Sequence, residues 1–207
     1  MSHFPRAVRE SHGAHFSRAG RYLAAAAFAV FAALPAATAS ELLPWPGGAT
    51  PPLALNDLDG RAVRLGDFRG RAVLVHFWAT WCAPCIEELP SLQQLADRLA
   101  PQGLEVIAVN EQENVARIRP FAARLGLTLR IVRDHDGSAR DAWGVRVFPS
   151  TFAVGPDGHI ALSAIGAVDW GDNAVESRLR ALLAGSREGR PLTTRAQAAG
   201  PDTGRRN

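Results

Sequence analysis

The chain has no lysine: all 23 of its basic side chains are arginine. It also has only two cysteines, one methionine and one tyrosine. The two cysteines, Cys82 and Cys85, are two residues apart, so there is no second Cys-X-X-Cys. A structural zinc needs about four ligands, and His76 is the one imidazole nearby in sequence. No metal site is expected. A disulfide across so short a loop would also add little as a staple, because the gain grows with loop length.

Most of the chain has no excess of either charge. The formal net charge is +3. Arg6, Arg9, Arg18 and Arg21, set against Glu10 alone, account for it, and from Ser40 onward 19 arginines face 19 acidic residues. The high isoelectric point therefore reports a basic leader and implies no nucleic-acid partner. A long apolar run is missing too. Tyr22 to Leu34 is 13 residues, short of the roughly 20 needed to span a bilayer. Basic residues, this short apolar run, Pro35 and the small residues Ala37-Thr38-Ala39 read as an export signal cut after Ala39. An uncleaved N-terminal membrane anchor is the alternative, since Tyr22 to Ser40 carries no charge. No cysteine follows the run, which excludes a lipoprotein anchor. Either way, the folded part is expected in an oxidising compartment outside the cytoplasm, the periplasm.

The rest divides into a Pro/Gly-rich linker over 40–52, a folded domain over 53–184 and a polar tail over 185–207 expected to be disordered. Within the domain, Leu53–Leu58 and Arg61–Leu65 around Asp59-Gly60 predict a β-hairpin. Val73 to Trp78 is an apolar, β-branched run that reads as a buried strand. Ile86 to Leu95 has helical spacing, so Cys82 and Cys85 stand where a strand hands over to a helix. Unpaired amides and the positive helix end favour a thiolate at that position. Pro84 is tolerated in the first turn. Leu104 to Val109 predicts a second buried strand. Asn114 to Leu125 predicts an amphipathic helix that Pro120 should kink or delay. Further on come a strand at 129–132, a short helix ended by Gly144, a strand at 147–154 opening with Pro149, a strand at 159–165, and a helical pattern over 168–183.

Phe77-Trp78-Ala79-Thr80-Trp81-Cys82-Ala83-Pro84-Cys85 resembles the active-site signature of the thioredoxin superfamily. With Glu88 and Pro90 following, it looks more narrowly like the TlpA-like and ResA-like extracytoplasmic thiol–disulfide oxidoreductases, over roughly Pro51 to Leu183. The resemblance implies an α/β, thioredoxin-like fold: a central mixed β-sheet flanked by helices, with an N-terminal β-hairpin and a central helical insertion. It implies that Phe148-Pro149 is a cis peptide beside the cysteines, and that Trp81, Pro84, Phe148 and Pro149 shape the substrate groove.

Cys82 is expected to be the exposed attacking thiolate and Cys85 the buried resolving thiol. Glu88, one helical turn beyond Cys85, is expected to take up or donate the resolving proton. His76 departs from thioredoxin, which has an aspartate there; it is either a proton relay or a satisfied structural histidine. Peroxiredoxins carry threonine three residues before the reactive cysteine, where this chain has Ala79.

The implied function is reduction of disulfides in partner proteins, cytochrome c apoproteins or copper-site maturation factors among them. Electrons would come from a membrane thiol–disulfide donor. No bound cofactor is expected, because the dithiol carries the electrons. A disulfide oxidase or isomerase, and a non-enzymatic metallochaperone-like module, are the alternatives.

Overall fold

A computed structural model describes residues 39–188, with side chains placed through 185. The expected leader at 1–39, all but Ala39, and the last nineteen residues lie outside the described residues. Among the described residues, eight strands form one mixed sheet: β1 (Leu43–Pro44), β2 (Ala54–Asp57), β3 (Ala62–Arg64), β4 (Ala72–Trp78), β5 (Leu104–Glu111), β6 (Arg130–Asp134), β7 (Ser150–Val154) and β8 (Ile160–Ile165). Their order across the sheet is β1-β8-β7-β4-β5-β6-β2-β3. Among the described residues, four α-helices accompany them: α1 (Ala83–Leu99), α2 (Val115–Arg124), α3 (Ser138–Ala142) and α4 (Asn173–Glu188).

β4 lies between β5, which runs parallel to it, and β7, which runs antiparallel. All seven of its residues are buried. A strand covered on both faces has no polar side to keep, which is why it reads as a continuous apolar run. Its side chains still alternate. Val73, Val75 and Phe77 enter a core with Val109, Trp143 and Phe152. Leu74 and Trp78 enter the opposite core with Leu89, Leu92, Leu95, Ile118 and Leu179, from α1, α2 and α4. His76, between Leu74 and Trp78, shares their face by the same alternation.

The expected hairpin is present as antiparallel β2 and β3. Gly60, at φ 83°, makes its turn in the left-handed region that suits glycine. The helical insertion is α2. Pro120 does not delay or interrupt it: the helix runs from Val115 to Arg124 with Asn114 as N-cap. Pro120 and Ala116 are both exposed, so the carbonyl that loses its partner can face water.

Four boundaries differ from expectation. The strand expected over 147–154 begins only at Ser150, so Pro149 precedes it. The segment expected as a linker is packed: Leu42 is fully buried and β1 pairs with β8. The last helix begins at Asn173, so Val168 to Asp172 is a loop. The same helix continues to Glu188, four residues into the expected tail.

Candidate active site

The chain leaves β4 at Trp78, turns through 79–82 and enters α1 at Ala83. Cys82 is the N-cap. Its backbone is extended (φ −90°, ψ 102°), and its Sγ accepts a hydrogen bond from the Cys85 amide at 3.3 Å. The sulfur thus takes the place that a serine or aspartate oxygen fills at ordinary helix starts. The same amide and the helix dipole would stabilise a thiolate once the pair is reduced. Pro84 falls in the first turn, as its missing N–H allows.

Cys82 and Cys85 are joined by a disulfide. Cys85 is fully buried, as expected. Cys82 is not the exposed residue expected: only 5% of it reaches solvent. Its sulfur is turned into the disulfide and the helix start, and the exposed position beside it is taken by Trp81, at 59%. The Trp81 ring meets Phe148 edge-on at 5.6 Å. Phe148-Pro149 is a cis peptide. The segment is fixed by Ser150 Oγ donating to the Val147 carbonyl at 2.7 Å and by the Gly166 amide donating to the Pro149 carbonyl at 2.8 Å. Trp81, Phe148 and the half-exposed Val147 therefore form an apolar rim next to Cys82.

Glu88 lies on the buried face of α1, one turn after Cys85. Its Oε2 accepts hydrogen bonds from the Val168 amide at 2.7 Å and from Trp170 Nε1 at 3.1 Å. Its Oε1 faces His76 Nε2 at 3.4 Å. Burial outweighs the two hydrogen bonds and pushes the carboxyl up to about 7. His76 is fully buried, and its Nδ1 lies 2.9 Å from Thr151 Oγ1. Burial holds this imidazole down to about 3, so it is neutral at ordinary pH.

A second buried carboxylate belongs to the site and was not singled out from sequence. Glu113 accepts from the Thr80 amide at 2.7 Å, from Thr80 Oγ1 at 2.5 Å and from Asn110 Nδ2 at 2.8 Å. Arg117 Nε sits 2.7 Å from Glu113 and donates to Thr80 Oγ1. The end of β5 and the start of α2 thereby clamp the turn that carries Cys82. The available signal was position: Glu113 follows the carboxyl end of a parallel strand, the sheet end where α/β sites are built.

Among the described residues, no group of three or more His, Cys, Asp and Glu side chains is placed to hold a metal ion. A cleft of about 1180 Å³, lined by Arg69, Ala72, Pro101, Pro156 and Leu182 among others, lies at the start of β4 and includes neither cysteine.

Residues 46–163, more than half of the chain, match the model of the AhpC/TSA family. The chain belongs to that family. It is 40% identical over 114 residues to the thiol-disulfide oxidoreductase ResA of Geobacillus thermodenitrificans, covering 55% of this chain and 66% of the relative. It is 32% identical over 122 residues to the ResA protein of Bacillus subtilis, covering 59% and 68%. The chain thus spans about two thirds of the length of these relatives, just under it for the first. A solved structure from Chlorobium tepidum, described as a thiol:disulfide interchange protein DsbE, has a TM-score of 0.61 at 28% identity, covering 66% of this chain and 96% of that one. The thioredoxin-like fold and the placing of the chain among thiol–disulfide oxidoreductases of this superfamily follow from these matches together with the Cys82–Cys85 pair.

Proposed function

We propose that the protein reduces disulfides in partner proteins outside the cytoplasm. The observation that carries this reading is the placement of Cys82 Sγ at the start of α1, with buried Cys85 and buried Glu88 behind it. In the reduced state the Cys82 thiolate attacks a partner disulfide. A mixed disulfide forms and one partner sulfur leaves as thiolate. Cys85 then gives its proton to the Glu88 carboxylate and attacks Cys82 Sγ. The second partner sulfur leaves, and the Cys82–Cys85 disulfide closes. Two electrons have passed to the partner, all from the dithiol, and no bound cofactor is needed.

Trp81, Pro84, Phe148 and Pro149 form the docking rim. An extended partner segment would lie along residues 147–149, main chain against main chain, with its disulfide over Cys82. Such recognition tolerates varied sequence and suits cytochrome c apoproteins or copper-site maturation factors as partners. In an oxidising compartment the pair needs a membrane thiol–disulfide donor to return it to the dithiol. Peroxidase chemistry is not proposed, because Ala79 stands where peroxiredoxins carry threonine.

Export with cleavage after Ala39 is consistent with the packing of Ser40. Its amide donates to the Ala167 carbonyl and its hydroxyl to the Ile165 carbonyl, each at 2.6 Å. A mature chain beginning at Ser40 would retain a nitrogen donor and the hydroxyl there. N-terminal sequencing from the native host is expected to give Ser40; a chain starting at Met1 would favour the anchored form.

The function is tested by assaying reduction of a protein disulfide by three proteins. Wild type is expected to turn over, Cys82→Ser to be inactive, and Cys85→Ser to stall as a mixed disulfide through Cys82. Full activity in Cys82→Ser would overturn the proposal.

A further inference from the structure

His76 and Glu88 form a buried pair that dithiol chemistry alone does not require. His76 is fully buried and Glu88 is 5% exposed. His76 Nε2 and Glu88 Oε1 both lack a hydrogen-bond partner, and they face each other at 3.4 Å. The other ends of both groups are held. His76 Nδ1 meets Thr151 Oγ1, and Glu88 Oε2 takes the Val168 amide and the Trp170 indole. The Trp170 ring stands edge-on to the imidazole, 6.4 Å away.

We propose that His76 and Glu88 share one exchangeable proton, and that protonating Glu88 switches the His76 tautomer, with the Thr151 hydroxyl turning to match. The proposal rests on the reading of Glu88 as acceptor of the Cys85 proton, and adds His76 as the residue that positions Glu88 for it.

The hydrogen-bonding capacities allow two complete states. With Glu88 ionised, His76 carries its hydrogen on Nε2 and donates to Oε1, while the Thr151 hydroxyl donates to Nδ1. With Glu88 protonated, Oε1–H donates to Nε2, the imidazole hydrogen sits on Nδ1, and Thr151 Oγ1 accepts it. A hydroxyl can do both by rotation, and a neutral imidazole always offers one donor and one acceptor. Neither state leaves Nε2 or Oε1 unpaired, the condition a buried polar group must meet. The neutral imidazole and the high proton affinity of Glu88, both caused by burial, agree with these two states.

Charged groups on the surrounding elements are engaged elsewhere or turned to solvent. On α1, Glu87 is exposed. In the loop before α4, Asp169 accepts from the Gly171 amide and Asp172 from the Ala174 amide. On α4, Glu176 pairs with Arg98 and Arg180. At the end of β5, Glu111 pairs with Arg140, and just beyond it Glu113 with Arg117. The remaining titratable partners are the thiols of Cys82 and Cys85 once the disulfide is reduced. The two states interconvert with one proton taken up by the pair: the Nε2 hydrogen passes to Glu88 Oε1, the incoming proton ends on Nδ1 on the Thr151 side, and the imidazole is neutral before and after, with no side chain moving out of the core.

The test is nitrogen NMR of the imidazole in the oxidised full-length protein, with no substrate present. The pH is taken from about 5 to about 9, either side of the Glu88 value of about 7. The hydrogen is expected on Nδ1 at low pH and on Nε2 at high pH, with the same midpoint as the Glu88 carboxyl carbon signal. Glu88→Gln offers an amide donor to Nε2 at every pH and is expected to lock the hydrogen on Nδ1. One tautomer across the whole range in wild type, a cationic imidazole within it, or an unchanged pH response in Glu88→Gln would overturn the proposal. In His76→Phe the carboxylate loses its donor. The Glu88 midpoint is then expected to rise by about one pH unit, the order expected for one lost charge-assisted hydrogen bond. The pH profile of protein-disulfide reduction is expected to move with it; an unmoved profile counts against the positioning role. If His76→Phe does not fold, the wild-type titration decides. Because that titration uses no substrate, its failure and a failure of the reductase reading are seen in different experiments.

Discussion

Replacing Glu88 with glutamine should change how stability depends on pH, by an amount that the site itself sets. In the folded protein the Glu88 carboxyl is raised from 4.5 to about 7, chiefly by burial. It therefore binds its proton more tightly folded than unfolded. Its contribution is full below about 4.5 and is lost as pH rises through about 7. The difference of about 2.5 pH units corresponds to roughly 3 kcal/mol. His76 acts in the opposite sense. Its folded value is depressed from 6.5 to about 3, so its contribution is present above 6.5 and lost as pH falls toward 3. Between about 4.5 and 6.5 the two slopes oppose, and wild type should show a plateau there.

Glutamine keeps a carbonyl for the Val168 amide and the Trp170 indole, and it cannot ionise. Glu88→Gln should therefore lose the falling limb and keep the rising one. Measured by urea unfolding of the oxidised proteins, the variant should gain roughly 3 kcal/mol on wild type between about pH 4 and pH 8. The same variant has no carboxylate to receive the Cys85 proton. Protein-disulfide reduction near pH 7 should fall by about 10²-fold, the lower end for a lost acid–base group. A stability difference that does not vary with pH would refute the electrostatic reasoning. Full activity would refute the proton-transfer role.

Trp81→Ala removes half of the aromatic rim. Aromatic pairs are worth about 0.5–1.5 kcal/mol beyond their area, so KM for a protein disulfide should rise severalfold to about tenfold, with little change on a small disulfide. Equal losses on both substrates would mean that Trp81 does not act in docking. Glu113→Ala leaves the Thr80 amide and Asn110 Nδ2 without their acceptor. At about 1–3 kcal/mol for each buried orphan, a loss of roughly 2–6 kcal/mol is expected in thermal or urea unfolding. A change below about 0.5 kcal/mol, the range of ordinary surface substitutions, would show that the clamp on the Cys82 turn is dispensable.

The parts of the fold that read clearly from sequence are those with a local signal. β4 is continuous and β-branched because both its faces are covered, and α1 keeps helical spacing from Ile86 onward. Cys82 at their junction follows from that alone, as does Glu88 on the Cys85 side of the helix. Period-two alternation also assigns His76 to the face of Leu74 and Trp78. That this face meets Glu88 is tertiary, set by how α1 packs on the sheet. The missed features have no local period. β1 is two residues in a Pro/Gly-rich stretch, held by pairing with β8 more than a hundred residues later. Val168 and Trp170 matter through contacts eighty and eighty-two residues away, to Glu88. Glu113 looks like a loop glutamate until the turn at Thr80 closes over it. Cys82 is less exposed than its place at a helix start suggests, because an N-cap side chain folds back on its own helix.

The direction of electron flow is the central claim, and the reduction potential of the Cys82–Cys85 couple tests it most directly. The protein is equilibrated with glutathione buffers at neutral pH, and the dithiol fraction is read by thiol alkylation. A reductant is expected to lie below about −200 mV, toward the thioredoxin value of about −270 mV. A potential near about −120 mV, that of a strong disulfide oxidant, would contradict the account.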